Sequence, residues 1–252
     1  MAENKTSLKI DSLRQEIRDS LKDFAEKLIE VLGENLRSIT VVGSGLTQDY
    51  RPGQSDINTV LVLGKLTVSS FDAIAELAKP MSRKRISAPL LMTPAYIERS
   101  IDVFGIEFLD FQLAHQTIFG SDPFASLSFD KKNVRLQCER ELKAMLIRLR
   151  QGYIAAAADR KLVRDILIST IKGLAPLLRA MLWLKDIDRL AESETTLKKA
   201  GAEFSISAES LIDIVKWQQE KTRLDKTMVK NTFESVYTIV EKLAVIVDAL
   251  EA

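Results

Sequence analysis

The chain has 252 residues and a formal net charge of +1, with 36 Lys and Arg against 35 Asp and Glu. Such a near-balance gives no case for a strongly basic nucleic-acid binder, and the length allows one large or two small domains, each with a real core. A single cysteine, Cys138, excludes an intrachain disulfide framework and a Cys-rich zinc site, and reads as a buried helix thiol.

No apolar run is read as reaching membrane-spanning length, and the N-terminal M-A-E-N-K-T lacks a signal-peptide pattern, so the sequence predicts a soluble cytoplasmic protein. Thr6 to Leu32 reads as an amphipathic helix: Leu8, Leu13, Ile17, Leu21, Phe24, Leu28 and Val31 recur at three- to five-residue steps, and Gly33 supplies a stop.

Ser38 to Leu63 is the stretch the chain is organised around. Ile39, Val41 and Val42 are β-branched and suit a strand. The run stops at Gly43-Ser44-Gly45, where the backbone can turn tightly and approach a ligand closely. After Pro52-Gly53 comes Asp56, at the mouth of a second apolar strand, Ile57 to Leu63. Alternation puts Asp56, Asn58, Val60 and Val62 on one face of that strand. Arg51, in the loop before Asp56, is placed to reach phosphate, with a solvated loop arginine as the plain alternative.

Ser69 to Met81 has helical spacing, with Ser69 or Ser70 as cap, Phe71, Ile74 and Leu77 inward, and a stop or kink near Pro80. The basic cluster Arg83, Lys84, Arg85 follows and reads as a solvated helix end, or as a partner for triphosphate. Ala88 to Met92 reads as a third strand, and Thr93-Pro94 as the cap and first residue of a short helix. Val103 to Phe111 reads as a fourth strand, with Glu107 on the face of Gly105 and Leu109 and Asp110 on the face of Ile106 and Phe108. His115, the only histidine, is expected on a short helix after that strand in a structural role. Ser121 to Phe124 looks like the turn that ends the first domain.

From about Lys131 no strand pattern is left. Val134 to Gly152, Asp159 to Leu184, Thr195 to Ala200, Ser207 to Gln219 and Asn231 to Leu250 read as helices, with bends expected at Gly173 and Pro176 in the second. Together they make a bundle of four to five helices. The fold class is therefore α+β: a mixed sheet with flanking helices over residues 1–128, then an all-α bundle over 129–252.

The Gly43-Ser44 turn, followed by eleven residues and then Asp56-Ile57-Asn58-Thr59, resembles the motif of the nucleotidyltransferase superfamily, the DNA polymerase β-like and kanamycin nucleotidyltransferase-like fold. That family carries an apolar residue, G-[GS], a spacer and [DE]-h-[DE]-h, where h is apolar. This chain departs at the second acid, where Asn58 stands. The resemblance implies transfer of a nucleoside monophosphate from ATP or another nucleoside triphosphate to a small-molecule or protein hydroxyl. Charge builds on phosphate oxygens, so such chemistry calls for Mg²⁺ held by carboxylates. Two acids at i and i+2 on a strand point the same way and can share a metal.

By the same resemblance Gly43 and Ser44 would hold the triphosphate, and Asp56 and Glu107 would be the catalytic metal carboxylates with Asn58 as a neutral ligand. Glu107 is aligned with the family's third acid by its place in an apolar run followed by I-F-G (Ile118 to Gly120), with Asp110 as the competitor. In some relatives an acid of the bundle is the general base; Asp159, Asp165 and Glu139 are all available and the sequence selects none. A homodimer is expected by analogy. Asn58 supplies no negative charge, so the resemblance also admits a catalytically degenerate relative acting as a nucleotide-binding or protein-interaction module.

Overall fold

The computed structural model describes residues 8–157, 159–219 and 224–250. Two compact units result, Met1–Ile101 with Asp110–Ser128, and Asp102–Leu109 with Phe129–Ala252.

The first unit is built on a four-stranded mixed sheet. Its strands are β1 (Leu36–Val42), β2 (Asn58–Leu63), β3 (Leu90–Met92) and β4 (His115–Gly120), in the order β3-β2-β1-β4. β1 pairs antiparallel with β2 and with β4, whereas β2 pairs parallel with β3. Helix α1 (Gln15–Leu32) lays Ile17, Leu21, Phe24 and Leu28 into a core shared with Ile39 and Val41 of β1 and Leu61 and Leu63 of β2. The alternation of strand residues thus puts one sheet face against the three- to four-residue stripe of the helix. The helix begins later than its apolar pattern suggests. Leu8 to Arg14 run outside it, with the Lys9 N–H donating to the Ile118 carbonyl at 2.8 Å, and Thr6 lies outside the described residues.

The single helix expected from Ser69 to Met81 is two: α2 (Val68–Ala75) and α3 (Ala78–Arg83). Thr67, not Ser69 or Ser70, caps α2, its side chain accepting from the Ser70 N–H. Pro80 ends nothing, because it falls in the first turn of α3, where a missing N–H costs no helical bond. Helix α4 (Pro94–Ser100) starts as expected, with the Thr93 side chain accepting from the Tyr96 N–H and Pro94 in the first turn.

The fourth strand is not Val103 to Phe111. Those residues enter helix α5 (Gly105–Leu113), and the strand beside β1 is β4, which begins at His115 itself. The apolar run V-F-G-I-E-F-L-D-F satisfies a helical stripe as well as a strand alternation. Gly105, Ile106, Phe108 and Leu109 are the buried residues, spaced by one and three.

In the second unit, α6 (Lys131–Ala155), α7 (Arg160–Leu184), α8 (Ser193–Phe204), α9 (Ala208–Gln219) and α10 (Lys226–Asp248) share one core. Asp130, Asp159 and Asp225 cap α6, α7 and α10 through their carboxylates. Helix α8 runs longer than the expected Thr195 to Ala200, through Gly201, and α10 starts five residues before Asn231. Helix α7 is continuous through Gly173 and Pro176. It has 25 residues and is apolar enough to cross a membrane by length and composition, which corrects the reading that no such run exists. More than half of its most apolar stretch is buried, with Leu167, Leu174, Leu178, Met181 and Leu182 inside the bundle.

Candidate functional site

The antiparallel register places Val42 opposite Asn58. The residues that follow β1 and those that precede β2 therefore leave the sheet at the same end, which brings Gly43-Ser44 and Asp56 to one edge. After Val42 the chain turns through Gly43–Leu46 as a short 3₁₀ segment. Gly43 sits at φ +77, where a side chain is strained, and a Cβ there would meet nothing within 4 Å. Space is thus open beside the turn. The Gly43 N–H itself is engaged, donating to the Ala114 carbonyl at 2.9 Å. The Ser44 carbonyl accepts from the Thr47 N–H at 3.0 Å and the Thr47 hydroxyl at 3.2 Å.

The loop before β2 is closed on itself. The Arg51 carbonyl accepts from Ser55 N–H at 2.9 Å and Gln54 N–H at 3.1 Å, while the Arg51 N–H donates to the Ser55 hydroxyl at 3.0 Å. Arg51 is exposed, as is Asn58, whose carboxamide makes no hydrogen bond among the described residues.

Asp56 is not free. Arg85 Nη2 donates to its Oδ1 at 2.7 Å and also to the Gln54 carbonyl, and Arg85 Nε donates to the Ser55 carbonyl at 3.3 Å. The backbone locks this arginine in register. Ile57 N–H donates to the Arg85 carbonyl at 2.8 Å, and Ser87 N–H donates to the Ile57 carbonyl at 3.0 Å. Close by, burial and then the Glu16 carboxylate push the Tyr50 phenol above its usual range, with Arg85 and Arg14 pulling the other way.

Glu107 belongs to the second unit, on α5 rather than on a strand. Its Oε2 accepts from Gln137 Nε2 at 2.7 Å, and Gln137 Oε1 accepts from the Ile106 N–H at 3.0 Å. Gln137 therefore satisfies an amide in the opening turn of α5 and orients Glu107. Asp110, the competing acid, falls in the first unit. His115 is held in β4: its Nε2 meets Asp122 Oδ2 at 2.8 Å, its Nδ1 faces the Gln112 carbonyl at 3.3 Å, and its ring stands edge-on to Phe124. Cys138 is fully buried in α6, and burial, with Glu107 and Glu141 adding to it, pushes its thiol up to about 12.

The donor set can be tested against the Mg²⁺ that the resemblance implies. That ion takes oxygen ligands, one or two of them from free carboxylates and the rest from phosphate and water. None of the four strands carries an Asp or a Glu. The strand parallel to β2 offers Leu90, Leu91 and Met92, and the strand beyond β1 offers H-Q-T-I-F-G. Among the described residues no group of three or more His, Cys, Asp or Glu is placed to hold a metal. Of the two side chains that the motif brings to the mouth of β2, Asp56 is a carboxylate paired with a guanidinium and Asn58 is a neutral amide. The residues present do not fit the ion.

Sequence reasoning missed Arg85 as a partner of Asp56. The only signal was the basic run Arg83 to Arg85, which does not say where its side chains go.

No protein-family profile matches the chain, and no curated protein matches it. Among solved structures it is similar to spectinomycin adenyltransferase AAD(9) from Enterococcus faecialis, determined with ATP and spectinomycin. The two share 13% identity with a TM-score of 0.59, covering 89% of this chain and 98% of that one. The likeness establishes the fold: a nucleotidyltransferase fold, with a four-stranded mixed sheet, flanking helices and a helical C-terminal region.

Proposed function

We propose that this protein binds a nucleoside triphosphate at the Gly43-Ser44 turn and the mouth of β2, and that it has lost metal-assisted nucleotidyl transfer. It acts as a nucleotide-binding module on a nucleotidyltransferase fold. One observation carries the reading: the four strands carry no carboxylate, and the motif's acid, Asp56, is paired with Arg85 at 2.7 Å. The open space beside Gly43 and the exposed Arg51 support a role in holding phosphate. Transfer needs developing charge on the α-phosphate to be neutralised and the nucleophile aligned, and a neutral Asn58 in place of an acid supplies neither.

The competing reading is Mg²⁺-dependent transfer of a nucleoside monophosphate to a small-molecule or protein hydroxyl, with Asp56, Asn58 and Glu107 as ligands. Its support is the likeness to a spectinomycin adenyltransferase solved with ATP and spectinomycin.

Calorimetry with ATP, GTP, CTP and UTP, followed by a pyrophosphate-release assay over a panel of hydroxyl acceptors, tests the two. The expected result is binding of at least one nucleotide with no acceptor-dependent pyrophosphate. Acceptor-dependent release that Asp56→Ala abolishes overturns the proposal in favour of the enzyme.

A further inference from the structure

Arg85 is more tightly placed than its basic neighbours. Lys84 reaches Asp23 on α1 at 2.7 Å, a plain surface pair. Arg85 instead adopts φ +55, a left-handed conformation rare for a residue with a side chain. That turn sends its carbonyl to Ile57 and its guanidinium to Asp56, the residue just before Ile57. Three acceptors, from Gln54, Ser55 and Asp56, fix the Nε and Nη2 edge. Nη1 has no partner among the described residues. The side chains of Arg85 and Asp56 are 43% and 56% exposed, so the pair is open to a solute.

The charge count at the strand mouth follows. An Asp-x-Asp pair would bring two negative charges and attract a divalent cation. Asp56, Asn58 and Arg85 together bring none. A guanidinium held in one orientation is itself a phosphate receptor, with N–H groups spaced to meet two oxygens.

We infer that Arg85 takes the place of a metal ion: this edge of the sheet receives the polyphosphate of a nucleotide without a divalent cation, on the outward N–H groups of Arg85. Asp56 is then a positioning residue that holds the guanidinium and tempers its charge. The inference rests on the nucleotide-binding reading above and fixes the form of the ligand, a metal-free nucleoside di- or triphosphate.

Two comparisons test it. In the first, wild-type protein is titrated with ATP in EDTA and in excess Mg²⁺. Affinity in EDTA is expected to be several-fold the higher, because chelated ATP carries less negative charge for Arg85 to meet. In the second, Arg85→Gln is expected to weaken ATP binding at least tenfold in EDTA. Asp56→Asn, which keeps an oxygen for the guanidinium and removes the competing charge, is expected to strengthen it several-fold. A metal site makes the opposite demand on Asp56. Binding that requires Mg²⁺ and is lost in Asp56→Asn overturns the inference and leaves nucleotide binding standing. No ATP binding in either buffer overturns both. Thermal melts establish that the variants are folded, and the wild-type comparison decides without them.

Discussion

Arg85 and Asp56 meet at 2.7 Å across 29 residues of sequence, joining the end of α3 to the mouth of β2. Both side chains are near half-exposed, so the pair is well solvated and contributes little stability of its own. Arg85→Gln is expected to cost no more than about 1 kcal/mol in urea unfolding. A loss above about 3 kcal/mol would assign the guanidinium to holding the loop, since values that large come from buried networks.

Gly120 and Gly43 both sit near φ +76, yet substitution separates them. A Cβ on Gly120 would lie 1.9 Å from the Arg37 carbonyl oxygen, inside the β1–β4 pairing, whereas a Cβ on Gly43 meets nothing within 4 Å. Gly43→Ala therefore carries only the left-handed backbone penalty, roughly 1–2 kcal/mol. Gly120→Ala must also push β1 and β4 apart, and a loss above about 3 kcal/mol or failure to fold is expected. Equilibrium denaturation of the two variants side by side checks the order.

Gln137 is 5% exposed and serves two groups of α5, the Ile106 N–H and the Glu107 carboxylate. Gln137→Leu leaves the amide buried without an acceptor, a cost of about 1–3 kcal/mol. Faster amide exchange at Ile106 is the accompanying signature. Glu107→Gln, at an exposed position, is expected to unfold within about 1 kcal/mol of wild type. It should also bind ATP as wild type does; loss of binding in this variant would restore Glu107 to the phosphate site.

Asp122 gives a pH dependence. Burial alone raises its carboxyl, but the N–H groups of Phe124 and Ala125 and the His115 imidazole together hold it below its ordinary value near 3.8. A depressed folded-state pKa means stability that is present above the unfolded value and lost as pH falls through the folded one. Asp122→Asn is therefore expected to be less stable than wild type at pH 7, by about 1 kcal/mol given its partial exposure. The gap should close below about pH 4 as the wild-type carboxyl protonates. A gap that persists unchanged at pH 3 assigns the effect to shape rather than charge, and melts across the range read it directly.

By itself the sequence determined the pieces whose signal is local. Apolar residues at three- to four-residue steps set α1, α6, α7 and α10, and β-branched runs set β1 and β2. The Thr93-Pro94 pair set the start of α4. With the Gly43-Ser44 turn and Asp56, these sufficed to suggest the nucleotidyltransferase fold that the structural likeness shows. Tertiary structure decided the rest, because the deciding partner was distant in the chain. The run from Val103 to Phe111 fits either period, and the helix Gly105–Leu113 that forms has its opening-turn Ile106 N–H accepted by Gln137, 31 residues away. The strand beside β1 is His115–Gly120 because its backbone pairs with Ser38 to Val42, residues more than seventy positions earlier. Arg85 reads as one of three cations at a helix end, solvated or partnering triphosphate, until a left-handed backbone turn whose carbonyl accepts from Ile57 brings it onto Asp56. Periodicity reports which side of an element meets the core; it carries no record of which charge meets which, and the Arg85–Asp56 pair is a meeting of that kind.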